Sequence, residues 1–158
     1  MRVDRGTAAV AGALQRYAAR GVFRGFSMGP GRGGRHDFRF TWLTRQPTVV
    51  SYERISRALT FRRLLPSAAS YPGLSGDLKR VVDEHRSAAV PPHRRMDARR
   101  VRVACAVRHG DFSLRLAIRG PHHAYAVQRG LNLVNQMFLL LQASYPEYLI
   151  ECFGFPSD

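Results

Sequence analysis

The chain has 158 residues, 45% of them hydrophobic, and carries 25 basic against 11 acidic residues for a formal net charge of +14. This length predicts a single domain over residues 1–158, and the apolar content excludes an intrinsically disordered chain. The excess of basic over acidic residues favours an acidic protein, a nucleic acid or an acidic lipid surface as partner. Codon bias can replace lysine by arginine, but it cannot explain why carboxylates are few.

Two cysteines, Cys105 and Cys152, are too few for a disulfide framework, so we expect reduced thiols and a cytoplasmic protein. The apolar stretch 7–14 is short and mostly alanine, which is typical of a helix rather than an export signal. No stretch has the length and apolar composition of a transmembrane segment.

The first half of the chain predicts one helix and a series of strands. Residues 7–20 place Val10, Leu14 and Tyr17 on one helical stripe, which ends at Gly21. Alternating or β-rich runs then predict strands, and Pro66 ends the last of them. These candidate strands cover residues 22–26, 36–43, 48–52 and 58–64.

The stretch FSMGPGRGGRHDFRF, residues 26–40, contains the pattern G-x-G-x-x-G at Gly29, Gly31 and Gly34. A dinucleotide-binding loop must leave a strand and open a helix, whereas these glycines lead into the strand 36–43. The stretch therefore predicts a hairpin loop. An enzyme that binds a phosphorylated ligand there is the weakest alternative.

The second half predicts a helix at residues 74–86, a basic loop PPHRRMDARR, and two strands at 101–107 and 112–118. The turn between these strands is His109-Gly110-Asp111, where glycine supplies a positive φ. A long helix follows Gly120-Pro121, and a short turn or helix covers residues 148–153.

The element order predicts an α+β two-layer sandwich, with an antiparallel sheet of about five strands and helices packed on one face. We write this order α-β-β-β-α-β-β-α. The apolar residues of each strand, among them Phe38, Phe40 and Phe112, then face the helices. Because these aromatic rings face inward, stacking of nucleic-acid bases on the sheet is disfavoured.

The opposite face of the sheet then carries arginines, small residues and few carboxylates. Arginine pairs bidentately with carboxylates or phosphates, so this face predicts binding of an acidic protein partner. A nucleic-acid module that contacts phosphates through these arginines is the first alternative. The second is a solvated polar face without a binding function. The candidate residues are Arg39, Arg62, Arg102, Arg108, Arg115 and Arg119, with a loop cluster at Arg94, Arg95, Arg99 and Arg100.

Nothing in the sequence has the spacing of a metal site. The motifs C-x-x-C and H-E-x-x-H do not occur, and the six histidines are scattered, so we interpret them as surface or turn residues. Residues 25–29, GFSMG, match the letters of G-x-S-x-G, but a nucleophile elbow joins a strand to a helix, whereas this stretch leads into the strand 36–43. The sequence thus predicts a non-enzymatic protein without catalytic residues, metal or cofactor.

The stretches ALTFRRLLP, LKRVVDEHR, VRVACAVRHGDFSLRLAI and AVQRGLNLVNQMFLLL, in this order, resemble the chaperone fold of type III secretion systems and the related YbjN-like bacterial proteins. The resemblance covers roughly residues 45–145 and depends on element order and hydrophobic pattern. It implies a non-enzymatic, chaperone-like adaptor, commonly a homodimer, that binds protein segments along its sheet or helix surfaces.

Overall fold

A computed structural model describes residues 4–157. Over these residues the chain forms four α-helices, six β-strands and a short 3-10 helix at Ala68–Ser70. The helices are α1 (Arg5–Ala19), α2 (Leu74–His85), α3 (His123–Ser144) and α4 (Pro146–Phe153). The strands are β1 (Arg24–Pro30), β2 (Arg35–Thr41), β3 (Pro47–Glu53), β4 (Ala58–Leu65), β5 (Val101–Arg108) and β6 (Asp111–Ile118).

All six strands belong to one antiparallel sheet in the order β1-β2-β3-β4-β6-β5. The predicted α+β class is confirmed, with one strand more than the expected five. The additional strand is β1, which corresponds to the candidate strand at residues 22–26 that the predicted element order did not count. It stays extended through the first glycine of the G-x-G-x-x-G pattern. Gly29 pairs with Asp37, so only residues 31–34 remain as the loop of a β1–β2 hairpin.

Each helix is stabilised by burying apolar side chains in the core, against the sheet or against a neighbouring helix. In α1 the Asp4 carboxylate accepts hydrogen bonds from the backbone N–H groups of Gly6 and Thr7, which caps the helix start. Val10 and Leu14 of α1 are buried. So are the apolar residues that recur at helical spacing along α3, namely Val127, Leu131, Val134, Phe138 and Leu141. These side chains join those of the sheet in one hydrophobic cluster.

Alternation in the strands sets which side of the sheet meets the helices. Phe38, Phe40 and Phe112 are buried in the core, as predicted, and stack among other apolar side chains. The β5–β6 hairpin keeps strict register over all eight residues of each strand. Its turn contains His109 and Gly110, both with positive φ, whereas Asp111 is already the first residue of β6.

One histidine departs from the expected surface location. His123, the first residue of α3, is buried, and its Nε2 atom lies 3.0 Å from the hydroxyl of the buried Tyr52 in β3. Gly6 of α1 passes so close to this pair that a Cβ atom there would lie 2.8 Å from His123 Nε2. Tyr52 and His123 therefore join β3, α1 and α3 at one point in the core.

Among residues 4–157, none of the helices combines the length and the apolar composition that crossing a bilayer requires.

Candidate partner-binding face

The side of the sheet opposite the helices carries a field of arginines. We call it the arginine face and define it by its five exposed arginines, which come from four strands. None of the five lies within 4 Å of a carboxylate oxygen in the part of the chain that the structure describes. They are Arg39 on β2, Arg62 on β4, Arg115 on β6, and Arg102 and Arg108 on β5.

The register between β5 and β6 places small residues opposite the arginines. Arg102 is directly opposite Ala117, and Arg115 is directly opposite Ala104. Residues directly opposite each other in a sheet have Cβ atoms only about 5 Å apart, so two facing arginines would repel each other. Because alanines occupy these positions, the guanidinium groups remain accessible from above. Arg115 and Ala104 line a concavity of about 980 Å³ together with Arg62 and Thr60 of β4.

A β-bulge in β4 presents two arginines in succession on the surface. The pairing of β4 with β6 shifts register between Phe61 and Leu65, and both Arg62 and Arg63 are exposed there. Arg63 adopts a left-handed backbone conformation, with φ of 46°. Its backbone N–H donates to the Ser113 hydroxyl at 3.2 Å, which holds the bulge against β6.

Asp111 holds the same bulge from the end of β6. Its Oδ1 atom accepts a hydrogen bond from the Ser67 backbone N–H at 2.9 Å, and its Oδ2 atom lies 3.0 Å from Arg63 Nε. The Ser67 N–H and then the Arg63 guanidinium hold the pKa of the Asp111 carboxyl below its usual value. Asp111 is therefore ionised. Its carboxylate contacts Ser67 and Arg63 at the bulge, although the residue opposite it in the hairpin is Arg108.

The face contains more carboxylates than the sequence suggested, but each has a local partner. Asp37 of β2 lies 3.1 Å from Arg35 Nε and accepts a hydrogen bond from the Ser51 hydroxyl at 2.7 Å. Glu53 of β3 accepts a hydrogen bond from Ser56. These contacts leave the five arginines of the arginine face without neutralising partners among residues 4–157.

The loop arginines form a separate group and are used largely within the loop. Asp97 accepts from the backbone N–H of Arg99 at 2.9 Å and also lies near the guanidinium groups of Arg99 and Arg100. The Arg99 N–H is the main cause of the lowered pKa of Asp97. Arg95 donates to the Val90 carbonyl. Arg94 is exposed without a contact of this kind among the residues described.

Tyr125 of α3 fixes this loop against the helix layer. Its hydroxyl accepts from the Asp97 N–H at 2.9 Å and donates to the Arg95 carbonyl at 3.2 Å. The Arg100 guanidinium lies 5.0 Å from the centre of the Tyr125 ring. The predicted loop cluster therefore packs beside α3, while the arginine face lies on the other side of the sheet.

Arg119 takes a position between these two groups. It follows β6 immediately and is exposed, and its backbone N–H donates to the Arg100 carbonyl at 2.8 Å. Sequence reasoning missed the roles of Arg63, Asp111 and Ser113. The visible signal for them was the doubled arginine in a strand whose alternation fails at Leu64 and Leu65, both of which are buried.

No family model, curated protein or solved structure matches the chain. The function is therefore argued from the surface itself. Within residues 4–157, no three His, Cys, Asp or Glu side chains lie close enough together to hold a metal ion.

Proposed function

We propose that this protein is a non-catalytic, chaperone-like adaptor that binds an acidic protein partner through the arginine face. The observation that carries the proposal is the set of five exposed arginines, spaced by alanine, serine and threonine, whose charges have no carboxylate within 4 Å among the residues described. Guanidinium groups bind carboxylates in a bidentate geometry, and the small residues give an acidic chain room to approach.

The location of the aromatic side chains supports a protein partner over a nucleic acid. Phe38, Phe40 and Phe112 are buried beneath the sheet, so they offer no stacking platform on the arginine face. A nucleic acid would then be bound through its phosphates alone. In that case the logarithm of the affinity falls with the logarithm of salt by about 0.7–0.9 for each phosphate neutralised.

The test compares two variants of equal charge. The first variant replaces three residues of the arginine face by serine: Arg62, Arg102 and Arg115. The control also introduces three serines, at basic residues that are exposed elsewhere: Arg16, Arg45 and Lys79. Polyglutamate is the probe, and binding is followed through the single tryptophan or by calorimetry.

We expect the arginine-face variant to lose about tenfold or more in polyglutamate affinity, since hydrogen bonds between charged groups contribute about 1.5–3 kcal/mol each. The control should lose much less. Equal losses in both variants would reduce the effect to net charge and refute the proposed face. Tighter binding of random RNA or DNA with the phosphate salt dependence would favour the nucleic-acid alternative.

The proposal also includes self-association and a cytoplasmic setting. The homodimer comes from the resemblance to secretion chaperones, and the setting comes from two cysteines that form no disulfide in the described residues. Light scattering at high protein concentration tests the dimer directly. A monomer mass there would remove self-association while leaving the binding face unaffected.

A further inference from the structure

The sheet opens between β3 and β4 at one end. The two strands pair from Val50–Phe61 to Glu53–Ala58, but β3 begins three residues before this ladder and β4 continues four residues beyond it. In that part β4 follows β6 through the bulge instead of β3. The strands therefore diverge, and a cavity of about 450 Å³ occupies the gap.

The floor of this cavity is apolar and comes from the helix layer. Val134 and Phe138 of α3 and Phe153 of α4 line it, and all three are buried. Leu64 of the bulge and the partly buried Trp42 complete the apolar wall. The opening thus gives access from the sheet side to the side chains on which α3 and α4 pack.

The mouth of the same cavity is basic. Arg39 and Arg62, two of the five residues of the arginine face, line it together with Arg63. Asp37 also lines the cavity, but its carboxylate is engaged by Arg35 and Ser51. An apolar floor below uncompensated guanidinium groups is complementary to an apolar group that is joined to carboxylates.

Two tethers shape the rim before any ligand binds. The Gln46 side-chain amide donates to the Cys152 carbonyl at 3.1 Å, which links the β2–β3 loop to α4. The Thr44 hydroxyl accepts from the Gln46 N–H at 3.1 Å, which closes a tight turn in that loop. A preformed rim reduces the ordering cost of binding. The volume also lies within the usual range for ligand sites, about 300–1,000 Å³.

We infer that this cavity receives an aromatic side chain from an acidic segment of the partner, with the flanking carboxylates on Arg39 and Arg62. The inference rests on the proposed function, because the arginine face must first attract the acidic segment. It adds a specific anchor to a surface that would otherwise recognise charge alone. Aromatic side chains buried in a pocket and surrounded by polar contacts are the usual hot spots of protein interfaces.

The experiment uses the full chain and Trp42, the single tryptophan, as a fluorescent reporter on the cavity wall. The probes are a blocked pentapeptide with phenylalanine between two glutamates on each side, the same peptide with alanine at the centre, and free 3-phenylpropionate. We expect the phenylalanine peptide to bind about tenfold to hundredfold more tightly than the alanine peptide.

Variants test the apolar floor and the basic mouth of the cavity separately. Thr48→Phe fills the cavity from β3 and should remove the preference for phenylalanine. Arg62→Gln, at an exposed position where folding is not at risk, should weaken the phenylalanine peptide about fivefold. Arg45→Gln removes the same charge from a neighbouring exposed position that does not line the cavity, and it should leave binding nearly unchanged.

The outcomes distinguish this inference from the proposed function. Equal binding of both peptides, lost in the arginine-face variant, overturns the cavity assignment and leaves the proposed function standing. If neither peptide nor polyglutamate binds, the proposed function fails as well. Binding of 3-phenylpropionate as tight as that of the phenylalanine peptide would make the cavity a small-molecule site and would also overturn the assignment.

Discussion

Gly6 should resist replacement by alanine even though alanine is the better helix former. Gly6 lies in the first turn of α1, where its backbone approaches Tyr52 and His123 of the core. An added Cβ would meet the Tyr52 hydroxyl oxygen and would lie 2.8 Å from His123 Nε2. Tyr52 is almost completely buried, so its ring has little room to withdraw.

Two effects of opposite sign determine the size of the change. Displacing the Tyr52 hydroxyl breaks its 3.0 Å hydrogen bond with His123 and leaves buried polar atoms unpaired, which costs about 1–3 kcal/mol. Alanine gains at most about 1 kcal/mol over glycine in a helix. We therefore expect Gly6→Ala to lower the free energy of unfolding by about 1–2 kcal/mol, or the midpoint temperature by about 2–8 °C.

A double-mutant cycle with Tyr52→Phe isolates the cause. Phenylalanine removes the oxygen that the new Cβ would meet, so Gly6→Ala should cost less in the Tyr52→Phe background than in the parent. Urea unfolding of the four proteins, followed by circular dichroism, gives the coupling energy. A stabilising Gly6→Ala in the parent, or additive effects within about 0.5 kcal/mol, would refute the steric argument.

Three further predictions concern His123, Tyr125 and Asp111. Burial, and then Arg57, lowers the pKa of His123, so the folded state favours the neutral imidazole. The contribution of neutral His123 to the free energy of unfolding should therefore be fully present above about pH 7.5 and decrease as pH falls below about 6.5. Urea midpoints should show a weaker pH dependence in His123→Gln. Tyr125→Phe removes both hydroxyl contacts to the basic loop and should speed tryptic cleavage within residues 91–100, whereas an unchanged rate would contradict the anchoring role. Asp111→Asn should lower stability at pH 7 by about 1–2 kcal/mol; because the pKa of Asp111 is lowered by folding, the difference from the parent in urea midpoint should shrink below about pH 4.

The sequence alone was sufficient to predict which face of a strand or helix a residue occupies, because that signal is local. Period-two alternation in the last hairpin separates Arg102 and Arg115 from the buried Val103 and Leu114, and the structure places them on opposite faces of the sheet. The helical stripes were predictable for the same reason. Such patterns need only the geometry of one element and one apolar layer to pack against.

The strand order and the β4 bulge could not be predicted in this way, because they depend on contacts distant in sequence. The insertion of β6 between β4 and β5 brings Asp111 to Arg63 across 48 positions, and Tyr52 meets His123 across 71. A left-handed arginine such as Arg63 also has no propensity signal of its own. Its conformation is held by Ser113, which local patterns assign merely to a polar face, and by Asp111, which they assign to the hairpin turn.

The bulge also explains how a strongly basic face remains both folded and unneutralised. Like charges on a sheet repel, and the simplest relief would be a carboxylate opposite each arginine. The structure instead uses Asp111 to fix the backbone at Arg63 and Asp37 to hold Arg35, while alanines lie opposite Arg102 and Arg115. The repulsion is reduced by spacing rather than by pairing, so the guanidinium groups keep their hydrogen-bonding capacity. That arrangement contributes little to the stability of the isolated chain, and an acidic partner would relieve the remaining repulsion.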